Sequence, residues 1–303
     1  MQEIALFGTV FIDIKGFSKN KYDPVGRNVG NVQFIHGGVG RNVAEDMGVL
    51  GTPVTFVSTV DDTAMGIDVE KRLWEYNINT EYLKKVEQNG MGMFMAILDN
   101  NGDLAGSISS PPDFTFFETL LEEKCEEIIK RSSHVALEID LNQKISRKIV
   151  DTANRLKKPI YGLPGNLSVI LADKDILMGM ECFICNDIEA EKIFDCSFGN
   201  DDLDLIKTEV KNFANKMEIK SMIVTMGEKG AVYYQKSMAE AVYHKVNPVK
   251  MIDSTGAGDS FFSGVVSALV QNKPLEESVK FGSEVAAYTI QSAESTCVGF
   301  KLK

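Results

Sequence analysis

One short segment of the chain combines residue types that could bind an anion and move a proton. Residues 253–259 read Asp-Ser-Thr-Gly-Ala-Gly-Asp, and an apolar helical pattern follows at once. Its small residues are Gly256, Ala257 and Gly258. Their N–H groups would lie at a helix start, where such groups lack intrahelical partners and the helix dipole favours an anion such as phosphate. A carboxylate would repel that anion, so Asp259 is better explained as a base for a hydroxyl that attacks the phosphate. The plainer alternative, that Asp259 only favours the helix start, leaves the nearby Asp253 unexplained.

A second glycine-rich motif lies near the other end of the chain. Residues 37–44 read Gly-Gly-Val-Gly-Arg-Asn-Val-Ala. Together with residues 253–259, this motif resembles the paired signatures of the PfkB (ribokinase-like) family of sugar and nucleoside kinases. Weaker matches stand between them, Asn-Asp-Ile-Glu at 186–189 and Thr-Met-Gly-Glu-Lys-Gly at 225–230. The resemblance therefore extends over essentially the whole chain, and it implies an ATP-dependent phosphotransferase.

The resemblance assigns the acceptor side of the site to the N-terminal half. It implies that Asp13, near the end of the first strand, binds two sugar hydroxyls, since a carboxylate can accept from both. Gly37 and Gly38 would let the sugar lie close to the backbone. Asn42 would contact sugar hydroxyls from the first turn of a helix, or it would serve only as a helix cap.

The nucleotide side falls in the C-terminal half. Asn186 and Glu189 match an Asn-x-x-Glu motif that helps to place Mg²⁺ and phosphates through waters, a mode that suits a cation that keeps its waters. A helix cap followed by an acid would give the same pattern. The nucleotide-side loop would include Thr225, Gly227 and Gly230, for which a simple strand–turn–strand is the alternative.

A monovalent cation such as K⁺ is a further expectation from the resemblance. Asp253 and Thr255 would bind it through backbone oxygens, and residues 292–297 would complete the site.

Composition narrows the class of protein. The chain has 303 residues, of which 44% are hydrophobic and 25% charged, with a net charge of −11. This negative charge argues against nucleic acid as a partner. No apolar run of about 18 residues, as a membrane span needs, occurs. Five cysteines without regular spacing and a start without signal-peptide features indicate a reduced, cytoplasmic protein.

Strand and helix patterns alternate through most of the chain, which predicts a doubly wound, mostly parallel α/β sheet with helices on both faces. We predict one ribokinase-like domain over 1–303, with strands inserted at about 15–36 and 91–109. In the family these strands form a small sheet that covers the sugar as a lid and can make a homodimer. The predicted strands are 4–14, 54–60, 91–98, 104–109, 133–139, 159–163, 181–185, 221–226 and 230–235. The predicted helices are 42–50, 66–77, 116–131, 143–157, 168–178, 201–217, 259–271 and 275–290.

The substrate stays open between a ribonucleoside and a simple sugar. Residues 12–16 (Ile-Asp-Ile-Lys-Gly) and 37–46 resemble the pseudouridine-kinase-like branch, which favours a nucleoside. A ribokinase- or fructokinase-type sugar kinase is the alternative. A non-catalytic sugar or nucleotide sensor is the rival from another class, although a pure binder needs no base at Asp259. An oxidoreductase is disfavoured because no Gly-x-Gly-x-x-Gly follows the first strand.

Overall fold

Two β-sheets organise the part of the chain that the structure describes. The computed structural model of the chain describes residues 3–139, 141–165, 167–199 and 202–302. The strands are β1 (Ile4–Phe7), β2 (Phe11–Ser18), β3 (Gly30–Gly37), β4 (Val54–Asp61), β5 (Leu83–Val86), β6 (Gly92–Leu98), β7 (Leu104–Ser110), β8 (His134–Glu138), β9 (Ile160–Leu163), β10 (Cys182–Asn186), β11 (Ser221–Thr225), β12 (Ala231–Gln235) and β13 (Val242–His244). The helices are α1 (Val39–Val49), α2 (Ala64–Glu75), α3 (Phe114–Arg131), α4 (Gln143–Arg155), α5 (Ser168–Ala172), α6 (Asp187–Phe194), α7 (Leu203–Lys216), α8 (Ala257–Leu269) and α9 (Leu275–Thr289).

The large sheet has the order β13-β12-β11-β10-β9-β8-β1-β4-β5. Its strands pair in parallel except at β12 and β13, which run antiparallel to their neighbours. Along β1, Ala5 and Phe7 pack into one hydrophobic core, whereas Ile4 and Leu6 pack into a second one. The sheet is therefore covered by apolar side chains on both faces, which confirms the predicted doubly wound architecture.

The predicted strand 4–14 is wrong in one respect, because it is two strands in different sheets. A Cβ on Gly8 would lie 2.5 Å from the Cα of Gly40, so the backbones of these glycines touch. Directly after it, the Thr9 N–H donates to Glu138. These contacts end β1, and the chain enters the small sheet as β2. Asp13 consequently lies in the middle of β2 rather than near the end of the first strand of the large sheet.

The small sheet, which we call the lid, has the order β3-β2-β6-β7. It begins at residue 11, four residues before the predicted segment 15–36, because β2 starts where the chain leaves the large sheet. The predicted hairpin at 91–109 is confirmed as β6 and β7, with Gly102 at a φ of 88° in the connecting turn. The N–H of Asp99 donates to the carbonyl of Asp103 and closes that turn.

Smaller differences concern short elements. The predicted helix 168–178 is α5 followed by a 3-10 turn at Lys174–Leu177, because Asp173 leaves the helical conformation with φ −155° and ψ 81°. Sequence patterns too short to stand out gave no prediction for β5, β13 or α6. Residue 201, where the helix before β11 was predicted to begin, lies outside the described residues. Among the residues described, none of the helices is long and apolar enough to cross a membrane.

Candidate active site

Asp259 occupies the first turn of α8, where the sequence places a base. The turn before it depends on Gly256, which has a φ of 78°. A Cβ on Gly256 would lie 1.8 Å from the carbonyl oxygen of Ser295, so a larger residue would collide with backbone. The N–H groups of Gly258 and Asp259 belong to the first helical turn and have no intrahelical acceptor. The Ala257 N–H differs from the expectation because it donates to the carbonyl of Ser254 at 3.2 Å and is occupied within the turn.

Asn42 is the hydrogen-bond partner of this carboxylate. Its Nδ2 donates to Oδ2 of Asp259 at 2.7 Å, although the two residues are 217 positions apart. The alternative that Asn42 only caps a helix is wrong, because α1 begins at Val39 with Gly38 in the cap position. The Asn42 N–H instead continues the helix by donating to the carbonyl of Gly38.

The surroundings of Asp259 change its acidity. Burial raises the pKa of Asp259 to about 7, against the Asn42 hydrogen bond, which lowers it. The nearby carboxylate of Glu138 acts in the same direction as burial. A carboxylate that gains and loses its proton near neutral pH is suited to general base catalysis.

A cavity of about 230 Å³ opens beside Asp259. It is lined by Val39, Leu163, Pro164, Gly165, Ile184, Cys185, Asn186, Glu189, Thr225, Gly258, Asp259 and Phe262. The wall includes the carboxyl ends of β9, β10 and β11, which is where doubly wound sheets bind ligands. Five of the predicted site residues are thus brought to one place. The cavity is smaller than the roughly 300–1,000 Å³ typical of ligand pockets, so it fits the reacting centre rather than two whole substrates.

Asn186 and Glu189 form a capping box at the start of α6. The Asn186 side chain accepts from the Glu189 N–H, and Oε2 of Glu189 accepts from the Asn186 N–H, each at 2.8 Å. The helix-cap alternative is therefore present in the structure, yet both residues also line the cavity. Burial raises the pKa of Glu189. No group of three or more His, Cys, Asp or Glu side chains that could hold a metal ion is found in the part of the chain described.

The structure does not bring every predicted nucleotide-side residue to the cavity. Thr225 lines it, whereas Gly227 and Gly230 do not. Both glycines have positive φ and form the turn between β11 and β12. A Cβ on Gly230 would lie 2.1 Å from the carbonyl oxygen of His244. The tight turn between two strands accounts for both glycines without a ligand, which is the strand–turn–strand alternative.

Asp13 approaches the site from the lid. A Cβ on Gly37 would lie 2.7 Å from Oδ2 of Asp13, so the predicted pair is adjacent. Burial raises the pKa of Asp13, while the positive charges of Lys15 and Arg41 oppose the shift. Lys15, two residues along the same face of β2, lies 3.6 Å from Oδ2 of Asp253. The lid face that carries Asp13 is therefore turned toward the 253–259 turn.

Sequence reasoning missed Glu138, a buried acid beneath the Gly-Gly motif. Its Oε2 accepts from the Thr9 N–H at 2.7 Å and from the Gly40 N–H at 2.9 Å. Burial raises the pKa of Glu138. An acidic residue at the end of an otherwise apolar strand was the signal for it, and the strand prediction alone assigned that residue no role.

Similarity to known proteins shows the family of the chain. A model of the family described as pfkB family carbohydrate kinase matches residues 1–298. The chain belongs to the pfkB family of carbohydrate kinases. It is a carbohydrate or nucleoside kinase, and the family uses ATP.

Named relatives include kinases of both nucleosides and sugars. The chain is 39% identical to a guanosine-inosine kinase of Exiguobacterium acetylicum over 98% of its own length and 97% of that protein. It is 25% identical to the pseudouridine kinase of Escherichia coli, with 92% and 87% coverage. Among solved structures, an Arabidopsis thaliana ribokinase complexed with ribose and ATP has a TM-score of 0.80 at 18% identity, covering 97% of this chain and 94% of that one. That similarity confirms the ribokinase-like fold.

Proposed function

We propose that this protein transfers the γ-phosphoryl group of ATP to a hydroxyl of a purine ribonucleoside of the guanosine or inosine type. The observation that carries the reaction is the Asp259 carboxylate at the start of α8, bonded to Asn42 and open to the cavity. The purine assignment is supported by the 39% identity to a guanosine-inosine kinase along nearly the whole chain.

In this mechanism the protein supplies position, charge and a base. Asp259 takes the proton of the attacking hydroxyl, whose oxygen forms a bond to the γ-phosphorus as the bond from that phosphorus to ADP breaks. The first-turn N–H groups, including that of Gly258, stabilise the negative charge on the transferring phosphoryl group. Asp13 and the backbone at Gly37 and Gly38 hold the ribose hydroxyls from the lid side.

The residues at the cavity wall fit a magnesium ion bound through waters. The capping box engages Oε2 of Glu189 while its carboxylate remains part of the wall, beside Asn186 and Thr225. Such an ion, when bound, neutralises charge on the phosphates. Asn186 and Glu189 would hold such an ion through its waters, and Thr225, on the same cavity wall, would contribute a hydroxyl to the phosphates.

Aromatic side chains on the inner face of the lid favour a nucleoside over a free sugar as the acceptor. Phe94 pairs with Asp13 across neighbouring strands, so the two side chains share the face that is turned toward the site. Phe11 shares this face, and a Cβ on Gly92 would lie 2.3 Å from its ring. Aromatic rings beside a hydroxyl-binding carboxylate are suited to stacking on a heterocyclic base.

Phe94 and Met95 offer a matched pair on opposite faces of β6. We expect Phe94→Ala to raise KM for guanosine about 5- to 100-fold, the range for loss of one base–aromatic contact. Met95→Ala, on the outer face, should leave KM unchanged. Steady-state kinetics with guanosine and with ribose would check this. Equal effects of the two substitutions, or an equal loss with ribose, would contradict the stacking role.

A coupled assay of ADP release over a panel of acceptors tests the proposed function. The panel holds guanosine, inosine, pseudouridine, adenosine, ribose, fructose and ketodeoxygluconate. We expect the highest kcat/KM with guanosine or inosine. Preference for pseudouridine, the substrate named for the relative with 25% identity, would favour that second candidate. Binding of acceptors without any ADP release would favour a sensor instead.

The monovalent-cation site remains part of the proposal. The Ile252 N–H donates to the carbonyl of Ile290, and Gly256 packs on Ser295, so the 253–259 turn lies against the segment that would complete the site. Although burial acts the other way, bonds from Thr255 and the charge of Lys15 hold the pKa of Asp253 below its ordinary value. Activity in K⁺ compared with tetramethylammonium tests whether the backbone oxygens of Asp253 and Thr255 bind a cation.

The outer face of the lid fits a homodimer. Its exposed side chains are Val32, Phe34, Met93, Met95 and Ile108. Ile108 is 71% exposed and Phe34 is 59% exposed. A contiguous apolar surface of this kind typically marks an interaction site. We propose that a second copy of the lid covers it.

A further inference from the structure

A chain of hydrogen bonds runs from a buried arginine into the catalytic carboxylate. Nη2 of Arg41 donates to Oγ of Ser295 at 3.3 Å, and Ser295 Oγ donates to Oδ1 of Asn42 at 3.4 Å. Asn42 Nδ2 then donates to Oδ2 of Asp259 at 2.7 Å. These three hydrogen bonds connect α1, the segment after α9 and the start of α8. Arg41, Asn42 and Ser295 are all buried, and Arg41 is only 1% exposed.

The guanidinium of Arg41 determines which group donates and which accepts in each of these three hydrogen bonds. A guanidinium has only donors, so the Ser295 oxygen must accept from it. The single hydroxyl proton of Ser295 is then left for Oδ1 of Asn42. Because Oδ1 accepts, the amide presents its Nδ2 end to Asp259. Further bonds hold Arg41 itself, from Nη1 to Glu45 at 2.9 Å and from Nη2 to the carbonyl of His36.

We propose that Ser295 is a positioning residue, which orients the Asn42 amide so that Oδ2 of Asp259 stays bonded and Oδ1 is the oxygen that takes the substrate proton. The inference rests on the proposed function. In the reaction, the proton of the acceptor hydroxyl moves to Oδ1 of Asp259, and the hydroxyl oxygen forms the new bond to phosphorus. The bond from phosphorus to ADP breaks, and its electron pair stays on ADP.

Other charges also face Asp259. Glu138 at the end of β8 and Glu189 on α6 raise its pKa, whereas Arg41 on α1 lowers it. Asp46, also on α1, interacts with it electrostatically. A neutral substitution at Ser295 leaves all four of these charges in place. A change in the pH profile of such a variant therefore reports a change in the hydrogen bond from Asn42 to Asp259.

The test compares Ser295→Ala and Ser295→Cys with Ser295→Thr, which keeps the hydroxyl. We expect the Ala and Cys variants to lose about 3- to 10-fold in kcat, the range for one hydrogen bond, with KM for the nucleoside within about 2-fold. The acidic limb of their kcat profile should move to higher pH, because the bond that lowers the pKa of Asp259 is weakened. Ser295→Thr should restore both values. Ser283→Ala is the matched control, since its hydroxyl donates to the carbonyl of Val279 within its own helix, α9.

Two results would overturn the proposal. One is an unchanged kcat and acidic limb in both the Ala and Cys variants. The other is a loss of kcat that Ser295→Thr does not restore and that leaves the limb in place, as expected if Ser295 only packs. Either result together with an inactive Asp259→Asn variant would refute the positioning role and leave the proposed function intact. An active Asp259→Asn variant would refute the proposed function first.

Discussion

At the scale of single residues, the surroundings of Asp259 differ from those of a surface aspartate, which suits it to the base role that we propose for it. Burial raises its pKa to about 7, from an ordinary value of 3.8. The burial that would suit Asp259 to the proposed role of base near neutral pH also makes its charge unfavourable in the folded state. Catalytic competence and stability therefore oppose each other at this position.

This opposition predicts how the stability of the Asp259→Asn variant depends on pH. Because the folded-state pKa is raised, the carboxyl contributes fully to stability below its unfolded pKa of 3.8, and this contribution is lost as pH rises through about 7. The substituted side chain of Asp259→Asn is uncharged at every pH, so the free energy of unfolding of this variant does not include this loss. The quantity to compare is the free energy of unfolding of Asp259→Asn minus that of the wild type. We expect this difference to be about 1–3 kcal/mol larger at pH 8 than at pH 5. Chemical denaturation at the two pH values measures the difference.

Asp253→Asn is the control for this measurement. The folded-state pKa of Asp253 is lowered, so its contribution is present above its unfolded pKa and is lost only as pH falls through the folded value. Its stability difference from the wild type should stay constant between pH 5 and pH 8. A parallel change in both variants would contradict the account of Asp259.

The type and place of the acid could be predicted from the sequence, but its partners could not. Asp259 follows a small-residue turn and begins an apolar helix, and these are local signals. The bond to Asn42 joins residues 217 positions apart, and Glu138 reaches the Gly-Gly motif from a third element. Contacts of this range depend on how strands and helices pack, which local patterns do not specify.

At the scale of elements, the turn before α8 separates a glycine needed by the fold from one needed by the site. Gly256 has positive φ and would collide with Ser295, whereas a Cβ on Gly258 would meet nothing within 4 Å. Gly258 nevertheless lines the cavity. The two glycines of one motif thus serve different purposes.

Alanine substitutions at these positions should have different consequences. We expect Gly258→Ala to keep or raise thermal stability, since alanine is the better helix former by about 1 kcal/mol, while kcat/KM for ATP falls at least 10-fold because the methyl group occupies the phosphate side. Gly256→Ala should destabilise the fold by about 2–4 kcal/mol through strain and collision. Thermal melts and kinetics on both variants check this. Full activity of Gly258→Ala would show that this turn is not part of the anion site.

Element boundaries show where sequence patterns stop being informative. The alternation of strands and helices predicted the large sheet. The Asn101-Gly102 pair between the predicted strands 91–98 and 104–109 is a typical hairpin turn, and it predicted the pairing of β6 with β7. The break between β1 and β2 escaped notice because the apolar pattern continues through Val10 and Ile12, which are both buried. The packing of Gly8 on Gly40 and the hydrogen bond from Thr9 to Glu138 show that the chain changes sheets there.

At the scale of the whole molecule, the proposed roles of the lid would connect substrate binding with assembly. One face of β2 carries Asp13 toward the site, and the opposite face of the same sheet is apolar and exposed. If a second copy covers that outer face, each lid is held from outside while its inner face holds the acceptor.

The lid interface predicts a change of oligomeric state on substitution. We expect the wild type to be a dimer and Ile108→Glu to be a monomer at micromolar concentration, because a charge would be buried against an apolar surface. Sedimentation velocity measures both. Leu205→Glu, on α7 and 37% exposed, is a matched control away from the lid. A wild-type monomer, or a dimer that survives Ile108→Glu, would contradict the interface.

If Asp259 is the base of a nucleoside kinase, replacing its carboxyl group should abolish turnover and leave nucleoside binding in place. Wild type and Asp259→Asn are assayed for phosphorylation of guanosine and inosine by ATP, and nucleoside binding is measured by calorimetry. We predict that the variant binds nucleoside within a few-fold of wild type but loses about 10³-fold or more in kcat. Near-full turnover by Asp259→Asn, with the wild type active, would contradict the account.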